Sequence, residues 1–531
     1  MQFWGKIMFK HLLTTAAVLA LSTTSAAADY SLTILHTNDF HARFEPVSKY
    51  DSVCGAEDNA EGKCFGGSAR LVTAVKEARG RSGNSILVDG GDQFMGTLFY
   101  TYYKGKLAAE MMNNMGYTAM TVGNHEFDDG PEVLRGFADS VNFPILMTNA
   151  DISREALLRD VIKKSIVIEQ GGEKIGLIGL TPQDTDELAS PGPNVTFMDP
   201  SIAVQDEVNK LTAMGINKII VLSHSSYAVD QVVAANTTGV DVIVGGHSNT
   251  LLSNTNDRAE GAYPTMVGNT AIVQAYAYGK FLGELNVTFD DAGEILSAEG
   301  EPLVMDANVV EDGDTKARIA QAAVPLQEIR QQVVASASAV IEGDRAVCRV
   351  QECEMGNLVA DAMLDRVADQ GVTIAIANSG GLRASIDAGD VTMGEVLTVL
   401  PFQNTLATFE ISGQGVIDAL ENGVSQVEEV KGRFPQVAGL RFTWDANVAP
   451  NEGRVTEVMV ATGDSFVPIN PSATYSVVTN NYVRNGGDGY KMFRAGMNAY
   501  DYGPGLEVVL ADYMAAQGGY SPYLDGRIAQ K

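Results

Sequence analysis

Between positions 32 and 285 the chain alternates short apolar runs with longer segments whose apolar residues recur at helical spacing. Residues 32–35, 85–88, 119–122, 174–178, 218–222 and 240–244 are the apolar runs, and their length and branched side chains predict buried strands. Segments such as 68–79 and 105–115 predict helices between them. Strands interleaved with helices in this way predict an α/β unit whose helices cover the sheet faces. Residues 314–334 then place Ile319, Ala322, Ala323, Leu326, Ile329 and Val333 at helical spacing, which predicts one connecting helix with Pro325 as a point of bending. From Cys348 onward, a helix over 356–367 and strands over 373–377, 406–411 and 475–479 predict a second, mixed α/β unit. The expected organisation is a first domain over 29–313, a helical linker over 314–345 and a second domain over 346–531.

Ahead of the first strand, Lys6 and Lys10 precede an apolar run over 12–21 and the small-residue stretch Ala26-Ala27-Ala28. That pattern predicts a secretory signal over 1–28, with Asp29 as the new N-terminus. No later stretch reaches the ~18 uninterrupted apolar residues of a membrane span, so no membrane anchor is expected after cleavage. The 531 residues carry 37 basic and 66 acidic side chains, a formal charge of −29, so a nucleic acid polymer is repelled and is excluded as a partner. The four cysteines fall in two local pairs, Cys54 with Cys64 and Cys348 with Cys353. An even count in an exported chain predicts two short-loop disulfides.

The chemistry is concentrated around five histidines of the first unit, His36, His41, His125, His224 and His247. The polar clusters are Asn38-Asp39-Phe40-His41, Gly90-Gly91-Asp92, Gly123-Asn124-His125-Glu126-Phe127-Asp128, Ser223-His224-Ser225 and Gly245-Gly246-His247-Ser248-Asn249. Each follows one of the apolar runs, which places all five at the carboxyl ends of strands, where open α/β sheets bind ligands. Imidazole, carboxylate and amide oxygen together suit first-row divalent cations. There are too many ligands for one tetrahedral ion with an open position, whereas two ions sharing a carboxylate use them all. Two such ions ~3.5–4 Å apart suit phosphoryl transfer to water. His36 stands apart from the clusters as a supporting residue, and Glu126 is left without a role.

In that order the clusters resemble the calcineurin-like metallophosphatases. Cys353-Glu354-Met355-Gly356-Asn357-Leu358, Asn378-Ser379-Gly380-Gly381-Leu382-Arg383, Leu400-Pro401-Phe402 and Asn485-Gly486-Gly487-Asp488-Gly489-Tyr490 resemble the C-terminal domain of the 5′-nucleotidase family. The resemblance covers nearly all of the chain after residue 28. It implies a four-layer α/β/β/α metallophosphatase sandwich, a connecting helix and a mixed α/β substrate-binding domain. It implies one divalent ion held by Asp39, His41, Asp92 and Asn249 and a second by Asp92, Asn124, His224 and His247, with zinc the first choice and manganese or another divalent ion the alternative. Asn124, His125 and Asp128 match the family's catalytic group: Asp128 orients the imidazole and His125 stabilises the phosphoryl transition state. Arg349 and Arg383 match positions that meet the substrate phosphate, Phe402 and Tyr482 the pair that sandwiches the base, and Asp488 the carboxylate that accepts from ribose. Asn378 and Asn404 match polar positions around the nucleoside. Tyr482 stands where phenylalanine is common and Gln403 where glycine is common.

The expected activity is therefore metal-dependent hydrolysis of nucleoside 5′-monophosphates, AMP first, by a periplasmic or secreted protein whose second domain rotates to bring substrate to the metals. The alternatives on similar domains are a 2′,3′-cyclic-nucleotide 2′-phosphodiesterase with 3′-nucleotidase activity and a hydrolase of UDP-sugars or nucleoside diphosphates. From a different class comes an exported nucleoside-binding protein without turnover, which has no need of the His125–Asp128 dyad. Metal identity, base preference and the choice between monomer and homodimer are not encoded in these patterns.

Overall fold

The computed structural model describes residues 1–2, 29–49, 51, 54–402, 404–463, 465–501 and 503–531; all but the first two residues of the expected signal, together with Gln403, lie outside the described residues. Strands β1 (Tyr30–Thr37), β2 (Ser85–Asp89) and β3 (Ala119–Thr121) run parallel in one sheet. Strands β4 (Glu173–Leu180), β5 (Ile219–Ser223) and β6 (Val242–Val244) run parallel in a second. Successive side chains point to opposite faces, so Ile34 meets Ile86, Leu177 and Ile220 in a core between the sheets, while Leu35 and Leu87 face outward. Helices Ser68–Arg81 and Lys106–Met115 cover the outer face of the first sheet through Leu71, Val75, Leu107 and Met111. Helices Pro200–Ala213 and Tyr227–Asn236 cover the second through Val204, Val208 and Val233. Burial on both faces is why the strands read as unbroken apolar runs. The four-layer α/β/β/α sandwich is as expected.

Helix Gly313–Arg330 packs Ile319, Ala322 and Leu326 onto the outer core of the first sheet. Strand Val333–Ala337, immediately after it, pairs with Gly389–Thr392 of the second unit. The stretch 314–345 therefore divides between the two units: its helix is fixed to the first and its strand is woven into the second. The second unit is built on a sheet in the order Pro435–Ala438, Ile374–Asn378, Thr474–Asn480, Leu406–Ser412, Met497–Tyr500. Helices Glu354–Arg366 and Leu506–Ala516 pack on one face, and Phe409, Phe434 and Trp444 form a core on the other. Both expected disulfides are present, Cys54–Cys64 and Cys348–Cys353. Cys353 also caps helix Glu354–Arg366, its Sγ accepting from the Gly356 N–H at 3.2 Å.

Candidate active site

Because the six parallel strands end at one edge of the sandwich, the loops that follow them open onto one place. Thr181, just past β4, ties the sheets together there by donating from Oγ1 to the Val122 carbonyl at 2.7 Å. The loops are forced into unusual backbone. Of the seven residues expected to hold metal, Asp39, His41, Asp92, His247 and Asn249 all have positive φ, between 50° and 72°. Such conformations cost of order 1–3 kcal/mol each and persist where surrounding structure holds them. Gly123 answers a different demand: a methyl group there would overlap the Asp92 carboxylate.

The holding group is Glu126. Its buried carboxylate accepts four backbone N–H bonds, from Asp92 at 3.0 Å and Gly123 at 2.7 Å on Oε2, and from Gln93 at 2.9 Å and Phe94 at 3.2 Å on Oε1. One side chain thus joins the loop carrying Asp92 to the loop carrying Asn124 and His125. Burial and the adjacent Asp92 charge push the Glu126 carboxyl up, and the N–H groups of Asp92 and Gly123 oppose them.

The loops bring Asp39, His41, Asp92, Asn124, His224 and His247 together. His224 Nε2 lies 2.9 Å from Asp92 Oδ2 and 3.9 Å from Asp39 Oδ1, and His41 Nε2 lies 3.9 Å from both Asp39 and Asp92. His247 Nδ1 is 3.0 Å from Asn124 Oδ1, and the His247 N–H donates to both Asp39 oxygens at 3.1 and 3.0 Å. Ligating atoms of Asp92, His224 and His247 lie within 4.8 Å of one another, as do those of His41, Asp92 and His125. Asp92 belongs to both groups, as a bridging ligand must. Asn249 Oδ1 is buried without a hydrogen-bond partner, and Asp92 Oδ2 and His224 Nε2 have only each other, as expected of donor atoms turned toward a cation position. His41 Nδ1 and His224 Nδ1 sit 3.1 Å and 2.6 Å from the Phe94 and Gly90 carbonyls. Those contacts occupy each Nδ1 and turn each Nε2 toward the Asp39 and Asp92 carboxylates, the orientation that ligation requires. Burial pushes His41 and His247 down to about 3, which keeps them neutral donors. Burial would raise the Asp92 carboxyl, but His224, His125 and His41 outweigh it and hold it well below the usual carboxylate range. The donor set fits a pair of divalent cations.

His125 Nδ1 lies 2.5 Å from Asp128 Oδ2, and the His125 N–H donates to Asp92 Oδ1 at 3.0 Å. Burial alone would lower this imidazole; Asp128 and Asp92 together lift it to about 9. His36 is elsewhere in the sandwich, with Nε2 2.9 Å from the Tyr263 hydroxyl.

In the second unit, Asn378, Phe402 and Asn404 line one small cavity, and the Arg383 guanidinium lies 5.3 Å above the Phe402 ring. Asn378 Nδ2 and the Tyr482 hydroxyl both donate to Asp488, at 2.7 and 3.1 Å. Burial, then the neighbouring Arg345, lowers both Arg349 and Arg383, so three guanidinium groups share this side of the unit. Arg345 escaped the sequence analysis; its position one helical turn before Arg349 was the available signal. The cleft of about 330 Å³ over the metal loops is lined from the second unit by other residues, among them Thr405, Asn481, Asn485 and Asp501.

This geometry, parallel-strand loops gathering carboxylate, amide and imidazole around a shared aspartate, defines a metallophosphatase-type phosphoric monoester hydrolase. Residues 32–250 match the calcineurin-like phosphoesterase family and residues 333–495 the 5′-nucleotidase C-terminal domain. The snake venom 5′-nucleotidase of Gloydius brevicauda is 35% identical over 549 residues, covering 97% of this chain and 92% of that one. The 5′-nucleotidase of Homo sapiens is 36% identical over 530 residues, covering 95% and 91%. Among solved structures, the 5′-nucleotidase precursor of Thermus thermophilus is 41% identical, with TM-score 0.61 over 94% of this chain and 99% of that one. The NAD nucleotidase of Haemophilus influenzae is 26% identical, with TM-score 0.76 over the same shares. The chain belongs to the 5′-nucleotidase family, whose metallophosphatase half implies divalent metal ions. Among the described residues, no helix is long and apolar enough to cross a membrane.

Proposed function

We propose that the chain is an exported 5′-nucleotidase that hydrolyses nucleoside 5′-monophosphates, AMP foremost, to nucleoside and phosphate. The observation that carries this reading is the shared Asp92, whose carboxylate belongs both to the group with His41 and His125 and to the group with His224 and His247. Asp39, His41, Asp92 and Asn249 hold one divalent ion, zinc or manganese, and Asp92, Asn124, His224 and His247 hold the other. When bound, the ions activate water and neutralise charge on the phosphoryl group. His125, kept protonated by Asp128, donates to a phosphoryl oxygen as charge develops there and assists the leaving 5′-oxygen. Arg349 and Arg383 clamp the phosphate, Phe402 and Tyr482 sandwich the base, Asp488 accepts from ribose, and Asn378 and Asn404 frame the nucleoside. Since the metal cleft faces Asn481, Asn485 and Asp501, turnover requires the second unit (residues 346–531 in the proposed division) to rotate and present the arginines instead.

Phosphate release from 5′-AMP, 3′-AMP, 2′,3′-cyclic AMP and UDP-glucose, before and after chelation, tests the reading. The expected result is fastest release from 5′-AMP, abolished by chelator and restored by divalent metal. Faster turnover of 3′-AMP or the cyclic diester overturns the substrate assignment, and chelator-resistant activity overturns the metal assignment.

A further inference from the structure

Tyr482 and Asp488 close a ring of hydrogen bonds. The Tyr482 hydroxyl donates to Asp488 Oδ1 at 3.1 Å and accepts from the Asp488 backbone N–H at 3.2 Å. The other carboxylate oxygen, Oδ2, accepts from Asn378 Nδ2 at 2.7 Å. Asn378 is braced in turn by Asn480, whose Nδ2 donates to Asn378 Oδ1 at 2.9 Å, and Asn480 is itself buried as the cap of Asn481–Arg484. Asp488 has φ 51°, a left-handed conformation within Gly486-Gly487-Asp488-Gly489 that the surrounding bonds hold in place.

An ionised carboxylate offers about four lone-pair sites. One site on each Asp488 oxygen is already filled from the protein, which leaves one on each. Two acceptors on a single fixed carboxylate match two hydroxyl donors on adjacent carbons. Phenylalanine at 482 would keep the aromatic face but lose the bond to Oδ1, leaving Asp488 pinned at one oxygen and free to turn.

We infer that the Tyr482 hydroxyl is a specificity-determining group that pre-orients Asp488 for a vicinal diol, so that this chain favours ribonucleosides over their 2′- and 3′-deoxy counterparts. The inference deepens the nucleotidase reading and rests on its placement of the nucleoside. A hydroxyl that only filled the carboxylate in the absence of ligand would have to be displaced, and its removal would strengthen diol binding.

The test is calorimetric binding of adenosine and 2′,3′-dideoxyadenosine to the full chain, wild type and Y482F. Because it needs no hydrolysis, a chain that binds adenosine but releases no phosphate from 5′-AMP fails the nucleotidase reading alone. The expected result is that Y482F lowers the preference for adenosine over the dideoxynucleoside about 3–10-fold, the size of one typical hydrogen bond, since Asn378 still holds the other oxygen of Asp488. In the hydrolysis of 5′-AMP the same change is carried by KM rather than kcat. D488N abolishes most of the preference, and Y482F added to D488N lowers it no further. A preference that is unchanged or increased in Y482F, a further loss in the double variant, or no binding of either nucleoside overturns the inference. A role confined to base stacking would move both nucleosides equally.

Discussion

Replacing Glu126 by glutamine tests whether one side chain holds the metal loops together. The substitution is isosteric but turns one carboxylate oxygen into an NH2 group. Whichever way the amide sits, two of the four N–H donors now held, either those of Asp92 and Gly123 or those of Gln93 and Phe94, lose their acceptor and face another donor. A buried donor left unsatisfied costs ~1–3 kcal/mol, so E126Q should lose about 3–4 kcal/mol of unfolding free energy at pH 8, a large share of a typical ~5–15 kcal/mol. In either orientation the loop carrying Asp92 at φ 59° loses support, through the Asp92 N–H itself or through those of Gln93 and Phe94, so affinity for Mn²⁺ should fall about 10–100-fold, as for other groups that orient metal ligands. Urea unfolding of the metal-free protein and calorimetric Mn²⁺ titration measure the two effects separately. An unfolding free energy within ~0.5 kcal/mol of wild type, together with unchanged Mn²⁺ affinity, would refute the clamp.

Three further outcomes follow from the same geometry. H125A should keep its metal content by elemental analysis yet lose kcat by a factor on the order of 10²–10⁴; full retention of rate would remove His125 from the mechanism. Binding of divalent ion to the metal loops should stabilise the fold by ~2.7 kcal/mol per site at a hundredfold excess over that site's Kd, read as a rise in melting temperature, and a melting temperature indifferent to cations would contradict the proposed cage. Asp241 accepts from the Ile219 N–H at 2.7 Å, and burial pushes its carboxyl up to about 7. The folded state therefore binds the extra proton, so stability from this group is full below about pH 4 and is lost as pH rises through 7. D241N, neutral throughout, should gain on wild type by about 2–3 kcal/mol between pH 5 and pH 8, and a pH-independent difference would show that Asp241 is not the titrating group.

The strands and the ligand clusters were legible because the same packing that buries both faces of β1 to β6 also sends their polar continuations to a common edge. A parallel strand covered on both sides leaves an unbroken apolar run, and the residue types just beyond it are then conspicuous. What local sequence does not carry is the conformation of those loops. Asp and His tolerate positive φ better than most residues but do not require it, and here backbone bonds between loops, Asp39 N–H to the Gly91 carbonyl and His41 N–H to the Asp92 carbonyl, accompany it. Glu126 illustrates the limit: adjacent to His125, it reads equally well as a ligand or a spectator. Only the fold shows that four N–H groups from two loops point at it. The Tyr482–Asp488 ring is hidden for the same reason, since it depends on how a glycine-rich turn folds back over six residues. The split of the stretch 314–345 between units was equally out of reach, because helical spacing reports that a helix forms and not which core receives its apolar face.

On the proposed reading, charge accounts for a site built in two halves that come together only with substrate. The chain carries a formal charge of −29, so a phosphate monoester approaching it is repelled over most of the surface. The first unit gathers carboxylates and imidazoles, which attract cations and, apart from His125 and Arg43, offer an anion little until cations are bound. The second unit gathers Arg345, Arg349 and Arg383, which attract the anion and would repel the cations if they faced the metal loops in the absence of substrate. In the arrangement seen here the metal cleft is faced by Asn481, Asn485 and the acidic Asp501. That pairing is electrostatically compatible with bound cations and incompatible with a bound phosphate. A substrate phosphate carried on the arginines reverses the balance: its negative charge screens guanidinium from cation and makes the approach of the two units favourable. On this argument the substrate itself supplies the differential affinity that any closing motion requires, and the rotation proposed above needs no further effector.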